Sequence, residues 1–177
     1  MDEHRLGLKP IFRRVWARRS RPVPAVVRPR YQWEYVYGFV QPERGTTHWL
    51  LLPTVNTTLF SAALANFARD QAVGPTKHVV LALDGAGWHS SAAVQVPEGL
   101  HLVPLPPYSP ELQPAERLWP LVDEPLANRA FDTLAALDRV LGERCVYLAD
   151  HPELIRGYTL FHWWPSAQSI QEAITPS

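Results

Sequence analysis

The stretch from Val79 to Trp119 decides the fold of this 177-residue chain. It begins with the apolar run Val79-Val80-Leu81-Ala82-Leu83, which ends at Asp84 and is followed by Gly85-Ala86-Gly87-Trp88-His89. A second run, His101-Leu102-Val103-Pro104-Leu105, leads into Pro106-Pro107-Tyr108-Ser109-Pro110-Glu111-Leu112-Gln113-Pro114-Ala115-Glu116-Arg117-Leu118-Trp119. Short apolar runs bounded by turn formers are typical of buried strands. We therefore predict two strands, the first a central parallel strand buried on both faces.

A carboxylate follows each of these predicted strands, Asp84 directly and Glu116 in the first turn of a predicted helix. If the two strands are adjacent, their carboxyl ends meet at one sheet edge, where open α/β sheets build sites. Each acid also has a plainer explanation. An Asp at a strand exit often bonds the following turn, and the helix dipole stabilises an acid near a helix start. Together the two acids favour a site that binds divalent cations for phosphoryl transfer.

The stretch resembles the DDE transposases of the mariner superfamily, in their bacterial insertion-sequence branch (the insertion-sequence-630 group). The resemblance rests on the Asp before Trp88-His89 and on the Pro-Pro-Tyr-Ser-Pro block. The start of the chain, Met1-Asp2-Glu3-His4-Arg5-Leu6-Gly7, is similar to the family's first motif. The resemblance implies that Asp2, Asp84 and Glu116 are catalytic acids that bind two Mg²⁺ or Mn²⁺ ions.

Some positions near these acids differ from the family pattern. Gly85-Ala86-Gly87 stands where Asn-Ala-Pro is usual, and Leu112-Gln113-Pro114 replaces Leu-Asn-Pro. Neither change removes an implied ligand. We expect Glu3 to point away from Asp2, because side chains alternate along a strand. His89 could touch a phosphate or a metal ion.

The resemblance also bears on the start of the chain. Full-length relatives begin with helix-turn-helix DNA-binding units and the strand that leads to the first Asp, whereas this chain starts one residue before Asp2. We therefore expect a truncated first strand, in either a second reading frame produced by frameshifting or a remnant. The implied partners are DNA (insertion-sequence ends and target), and either a second copy in a homodimer or an upstream helix-turn-helix region from another reading frame.

A strong charge asymmetry underlies the net charge of zero. No acidic residue lies between residues 5 and 30, which contain nine basic ones: Arg5, Lys9, Arg13, Arg14, Arg18, Arg19, Arg21, Arg28 and Arg30. Such a segment is either a DNA-contacting arm or a solvated arm that aids solubility. We take four residues as candidate DNA contacts, Arg13, Arg14, Arg18 and Arg19. The interleaved apolar side chains predict a partly packed segment: Phe12, Val15 and Trp16.

Composition indicates one globular domain. Hydrophobic residues make up 46% of the chain and charged residues 19%, typical of folded proteins. No apolar run approaches the roughly 18 residues that span a membrane, and the N-terminus lacks a signal-peptide core. We therefore expect a cytoplasmic protein, and the resemblance to DNA transposases implies that it is nucleoid-associated. The single Cys145 excludes an internal disulfide and a multi-cysteine zinc site.

The pattern predicts an α/β protein with a mixed sheet. Besides the two strands above, we predict strands at 1–8, 31–40 and 46–52. Helices are predicted at 56–71 and 132–148, from Glu111 or Leu112 onward, and briefly at 90–96. The resemblance implies a ribonuclease H-like fold, in which an antiparallel hairpin and parallel strands are flanked by helices. We assign residues 1–165 to the catalytic domain and 166–177 to a weakly ordered tail.

Three functions remain open at this point. The first is a transposase catalytic domain that makes metal-dependent cuts and strand transfers at the ends of an insertion sequence. The second is a truncated, catalytically inactive remnant that binds DNA. The third is a ribonuclease H-like nuclease that acts on other nucleic acids, which the Pro-Pro-Tyr-Ser-Pro block disfavours.

Overall fold

The computed structural model describes residues 1–16, 18 and 30–161. These residues contain five strands, β1 (Asp2–Gly7), β2 (Trp33–Gln41), β3 (Thr46–Leu52), β4 (Val79–Leu83) and β5 (Leu100–Pro104). The same described residues form four α-helices, α1 (Thr57–Asp70), α2 (Trp119–Asp123), α3 (Leu134–Ala149) and α4 (Pro152–Thr159). Shorter 3₁₀ turns lie at Pro110–Leu112, Pro114–Leu118 and Glu124–Leu126. The tail predicted at residues 166–177 lies outside the described part of the chain.

The first sheet is an antiparallel meander in the order β1-β2-β3. Asp2 lies opposite Gly38, and Tyr35 lies opposite Leu52 on the other side of β2. The β2–β3 turn ends at Gly45, whose φ of 67° lies in the left-handed region that glycine tolerates. The predicted hairpin is therefore confirmed.

The second sheet contains β4 and β5, which pair in parallel from Val79 opposite Leu100 to Leu83 opposite Pro104. The two strands are thus adjacent, which is the condition for their carboxyl ends to meet at one sheet edge. The prediction that β4 is buried on both faces is wrong, because the Val80 side chain is exposed. Within the described residues β4 forms no ladder with β1. The sheets approach each other where the Met1 α-amino group donates a hydrogen bond to the Ala82 carbonyl oxygen at 2.7 Å.

Two apolar clusters lie on opposite faces of the first sheet, because side chains alternate along its strands. On β2, Val36 belongs to the cluster formed with α2, α3 and α4, whereas Tyr37 belongs to the cluster formed with α1, β4 and β5. Leu6 on β1 joins the first of these clusters. The same alternation places the side chains of Asp2 and Glu3 on opposite faces of the sheet.

The long helices follow their sequence signals. Asn56 caps α1 by accepting a hydrogen bond from the Leu59 backbone N–H at 2.9 Å, and Thr133 caps α3 in the same way. The apolar stripe of α3 is buried at Leu137, Leu141, Cys145 and Leu148. Among the described residues no helix has both the length and the apolar character needed to cross a bilayer.

Two helix predictions need correction, and one helix was missed. Residues 90–96 form turns rather than a helix, since the segment is short and Pro97 ends it. The helix predicted from Glu111 or Leu112 is instead two 3₁₀ turns followed by the five-residue α2. Pro120 cannot donate the backbone hydrogen bond that a continuous helix requires there. Helix α4 was not predicted, although Pro152 at its first position is a helix-start signal.

Candidate active site: an acidic cleft between β4 and the 3₁₀ turns

Asp2 lies in β1 with its side chain almost fully buried. Its Oδ2 atom accepts a hydrogen bond from the Trp119 indole Nε1 at 2.7 Å. Burial raises the pKa of the Asp2 carboxyl, although the hydrogen bonds from Trp119 and the Glu3 backbone oppose this shift. The carboxylate is thus held in one orientation beside α2.

Neighbouring residues fix the Trp119 ring. The His4 imidazole stacks on it, with ring centroids 4.9 Å apart and planes inclined by 16°. His4 is in turn held by Asp123, whose Oδ1 lies 2.9 Å from His4 Nε2. Gly38 leaves space for the indole, because a Cβ at this position would lie 2.9 Å from Trp119 Cη2. Trp119 is therefore a buried core residue that also holds Asp2.

Asp84 directly follows β4, and its side chain is 51% exposed. Its Oδ1 accepts a hydrogen bond from the Ala86 backbone N–H at 3.1 Å, so the turn-capping explanation describes part of its role. The same oxygen lies 2.8 Å from His89 Nδ1. The other face of the carboxylate remains open to solvent and contributes to a cleft.

His89 lies behind the cleft. Its side chain is only 1% exposed, which leaves no face of the ring open for the phosphate or metal contact that the sequence left possible. Nε2 lies 2.8 Å from Oε1 of Glu3, a residue that points away from Asp2 as predicted. Burial alone would lower the pKa of His89, but the Glu3 and Asp84 carboxylates raise it above its usual value. The ring therefore connects β1 with the turn after β4.

Glu116 lies in the 3₁₀ turn Pro114–Leu118 and is exposed. Surrounding protein atoms still remove part of the water around its carboxyl group, and this desolvation raises its pKa. The negative charges of Asp2 and Asp84 raise it further, against an opposing effect of His4. Charges that shift the pKa of a carboxyl group in this way lie within electrostatic reach of it. The structure thus brings the three predicted acids into one region.

The cleft has a volume of about 460 Å³ and is lined by both Asp84 and Glu116. Asp2 is not part of its wall. Tyr108 lies on the rim with a fully exposed side chain and a φ of 58°, an unfavourable conformation for a residue other than glycine. On the inner side Gln113 is buried and donates a hydrogen bond from Nε2 to the Met1 carbonyl oxygen at 2.9 Å.

Oxygen ligands of this kind suit a hard divalent cation. The raised pKa of Glu116 is consistent with such a site, because a cation would offset the repulsion that Asp2 and Asp84 exert on this carboxylate. In the part of the chain that the structure describes, no three His, Cys, Asp or Glu side chains are already arranged to hold a metal ion. The donor chemistry fits a metal ion, and the ligand geometry is not preformed.

The basic segment is only partly described. Arg14 and Arg18 are exposed, and Arg19 lies outside the described residues. Arg13 is also exposed, but its Nη2 donates to the Pro120 carbonyl oxygen at 2.9 Å and its backbone bonds the Asn128 side chain. The prediction of a partly packed segment is wrong for its interleaved apolar side chains, which are all exposed: Phe12, Val15 and Trp16.

Sequence reasoning missed the residues that hold the acids in place. Trp119 and Gln113 contact residues more than 110 positions away, and no periodic pattern carries such information. A weak signal existed for His89, since a His five residues after an Asp can fold back on the intervening turn.

Comparisons with known proteins define the family. Residues 1–138 match the family described as DDE superfamily endonuclease, and the chain belongs to it. An uncharacterized protein, y4pE/y4sA, of Sinorhizobium fredii (strain NBRC 101917 / NGR234) is 36% identical over 135 residues, covering 74% of this chain and 96% of that protein.

Solved structures share the fold at low sequence identity. The Mos1 mariner paired-end complex with Mn matches with a TM-score of 0.61 at 16% identity, over 99% of this chain and 55% of that one. The Mos1 transposase paired-end complex with the left transposon end matches with a TM-score of 0.56 at 18% identity, over 88% and 53%. The predicted ribonuclease H-like fold is thus confirmed. The chain spans about half the length of these structures.

Proposed function

We propose that this chain is the catalytic domain of a transposase of the mariner superfamily, in the insertion-sequence-630 branch. It would cut DNA at the ends of an insertion sequence and join those ends to a target. One observation carries the proposal: Asp84, which follows β4, and Glu116 line the same cleft. The raised pKa of Glu116, caused first by burial and then by the charges of Asp2 and Asp84, supports it. Membership of a family of DDE superfamily endonucleases supports the same reaction class.

In this proposal Asp2, Asp84 and Glu116 would hold two Mg²⁺ or Mn²⁺ ions, in keeping with the Mn present in a matched Mos1 complex. Bound ions of this kind activate an attacking oxygen and stabilise a leaving one. The chain's own residues provide the setting. Trp119 orients Asp2 through its indole N–H, and Asp84 and Glu116 face the cleft that would receive the scissile phosphate. Water or a DNA 3′-hydroxyl would be the nucleophile.

DNA would be both substrate and partner, since a matched Mos1 structure is a complex with a transposon end. The exposed side chains of Arg13, Arg14 and Arg18, together with Arg19, would contact phosphates without reading sequence. Assembly would involve either a homodimer or a helix-turn-helix region from another reading frame. The protein would act in the cytoplasm, at the nucleoid.

A second candidate is an inactive DNA-binding remnant. The observation that favours it is the absence, within the described residues, of three side chains already arranged to bind a metal ion. Its basic segment would still bind DNA. The two candidates differ only in whether the acidic cleft performs chemistry.

Substitution of the two cleft acids tests the first candidate. Asp84→Asn and Glu116→Gln should each lower Mn²⁺-dependent cleavage of insertion-sequence ends by more than about 100-fold. Loss of a group that only supports a metal ligand costs about 10–100-fold, and loss of the ligand itself should cost more. DNA affinity, measured by filter binding, should change little, because neither acid belongs to the basic segment. Glu111→Gln is the matched control, since Glu111 is an exposed acid of the neighbouring 3₁₀ turn.

The control should retain cleavage. If Asp84→Asn or Glu116→Gln cleaves within about tenfold of the unmodified chain, the assignment of these acids is wrong. If the unmodified chain binds DNA and does not cleave it at any Mn²⁺ concentration, the remnant is the correct candidate.

A further inference from the structure

A buried His89 links two acids of different exposure. Its Nε2 lies 2.8 Å from Glu3 Oε1, and its Nδ1 lies 2.8 Å from Asp84 Oδ1. The Glu3 side chain is 5% exposed, whereas that of Asp84 is 51% exposed. Glu3 is therefore a buried anchor, His89 is a buried ring between the two acids, and Asp84 is the acid that reaches the cleft.

The link is important because it joins the turn after β4 to β1. Asp84 follows β4, Glu3 belongs to β1, and among the described residues these strands form no ladder. Gly85 and Gly87 on the turn lie in open space, with no heavy atom within 4 Å of a Cβ placed on either. Without the ring, the Asp84 carboxylate would be fixed mainly by its own bond to the Ala86 N–H.

The surroundings of the ring fix its orientation. Phe60 of α1 packs against it with centroids 4.4 Å apart, and Trp88 approaches it edge-on at 5.7 Å. Nδ1 also lies 3.2 Å from the Asp84 carbonyl oxygen. An imidazole held in this way can transmit the position of β1 to Asp84, as carboxylate–histidine pairs do behind metal ligands.

Building on the function proposed above, we propose that His89 is a positioning residue for Asp84, with Glu3 as its anchor. It would hold the Asp84 carboxylate in the orientation in which it faces the cleft. His89 itself touches neither DNA nor metal, because its side chain is buried.

Two amide substitutions at His89 test its contacts with Asp84 and with Glu3 separately. In His89→Asn the amide nitrogen replaces Nδ1 and keeps a donor for Asp84, whereas in His89→Gln it replaces Nε2 and keeps a donor for Glu3. Both variants lose the ring, so they should lose similar thermal stability. If His89 positions Asp84, His89→Gln should need about 10–100-fold more Mn²⁺ for half-maximal cleavage. His89→Asn should need less than His89→Gln, and KM for DNA should stay unchanged in both.

A measurement that does not depend on cleavage distinguishes failure of the positioning role from failure of the proposed function. Amide hydrogen exchange of residues 84–88 should be faster in His89→Gln than in His89→Asn, in the absence of metal. Equal exchange and equal Mn²⁺ requirement in the two variants would overturn the positioning role. A difference in exchange in a chain that cleaves no DNA would support positioning and count against the proposed function alone.

Glu3 provides a second pair of variants in case both His89 variants fold poorly. Glu3→Gln keeps an acceptor for Nε2, whereas Glu3→Leu removes it at similar volume. Glu3→Leu should speed exchange of residues 84–88 relative to Glu3→Gln. If the two variants exchange at the same rate, the Glu3 anchor is refuted.

Discussion

Gly38 and Trp119 together determine where the Asp2 carboxylate lies, because the glycine leaves space for the indole that binds this carboxylate. Asp2 and Gly38 are partners across β1 and β2, and Trp119 covers the glycine while donating to Asp2. A buried carboxylate is costly unless it is hydrogen-bonded. The indole N–H therefore stabilises the fold and orients the acid at the same time.

Gly38→Ala should displace the Trp119 ring. Its Cβ would lie 2.9 Å from Trp119 and 3.1 Å from Trp49, so we expect a loss of about 1–3 kcal/mol, typical of overpacking. Chemical denaturation measures this loss. Trp119→Phe complements the test, because it keeps a ring and removes only the N–H that Asp2 accepts.

The matched control is Gly142→Ala in α3, where an added Cβ meets no heavy atom within 4 Å. This control should be neutral or stabilise the helix by roughly 0.5–1 kcal/mol, since alanine favours helix. Equal unfolding free energies for the two variants would show that the Trp119 ring does not require a glycine at position 38.

At the level of single residues, the sequence predicted the acids and not their supports. Asp84 directly follows a continuous apolar run, and Glu116 lies in a recognisable motif after the second run, so both positions are visible in the sequence. The hydrogen bonds of Trp119 and Gln113 depend on which distant segments meet, so they could not be predicted. The roles of Asp2, Asp84 and Glu116 as metal ligands stay predictions.

At the level of elements, helix predictions were correct where an apolar pattern extends over several turns, and they failed where prolines interrupt the segment. The stripe of α3 and the cap of α1 are strong local signals. The segment after β5 contains Pro110, Pro114 and Pro120, which break a helical pattern into 3₁₀ turns and a short α2. The prediction of a helix from Glu111 or Leu112 onward did not account for the backbone donors that Pro114 and Pro120 lack.

Glu34 on β2 is an acid in an apolar setting. It is buried, and its Oε1 has no hydrogen-bond partner among the described residues. Burial raises its pKa to about 7, and the negative charge of Asp138 contributes. The folded state therefore favours the neutral carboxyl, so the free energy of unfolding should fall as pH rises from about 4.5 to 7.

Glu34→Gln should remove this part of the pH dependence. The variant should equal the unmodified chain below pH 4.5 and be more stable above pH 7, the two limits set by the ordinary and folded pKa values. Urea denaturation at several pH values measures the difference. Glu143→Gln, on an exposed position of α3, is the control; an identical pH profile for both variants would mean that burial of Glu34 is not the cause.

At the level of the whole molecule, the division into two sheets was beyond prediction. The pattern predicts which segments are strands, but it does not indicate whether β1 and β4 form a ladder. In the structure they meet through the Met1–Ala82 hydrogen bond and through the Glu3–His89–Asp84 link. The Met1–Ala82 and Glu3–His89 bonds each join residues more than 80 positions apart.

The basic segment should determine how DNA affinity depends on salt. Neutralising Arg13, Arg14, Arg18 and Arg19 together should flatten the slope of log K against log salt by about 0.9 for each DNA phosphate that the segment no longer neutralises. Arg13 should contribute less than Arg14, because its guanidinium already donates to Pro120. Fluorescence anisotropy titrations at several salt concentrations provide the slope.

Four exposed cations outside the segment provide the control: Arg69, Lys77, Arg139 and Arg156. Their joint neutralisation changes net charge equally and should leave the slope closer to that of the unmodified chain. If both sets flatten the slope to the same degree, the segment is a solvated arm without a specific role in binding DNA.

The buried Cys145 has a practical consequence. It is the only cysteine in the chain, and burial in α3 raises its pKa to about 12, so thiol reagents should leave it unmodified. The chain therefore needs no cysteine removal before fluorescent labelling. In Tyr108→Cys the reactive thiol would lie on the rim of the acidic cleft, and an environment-sensitive dye attached there would report directly when DNA enters.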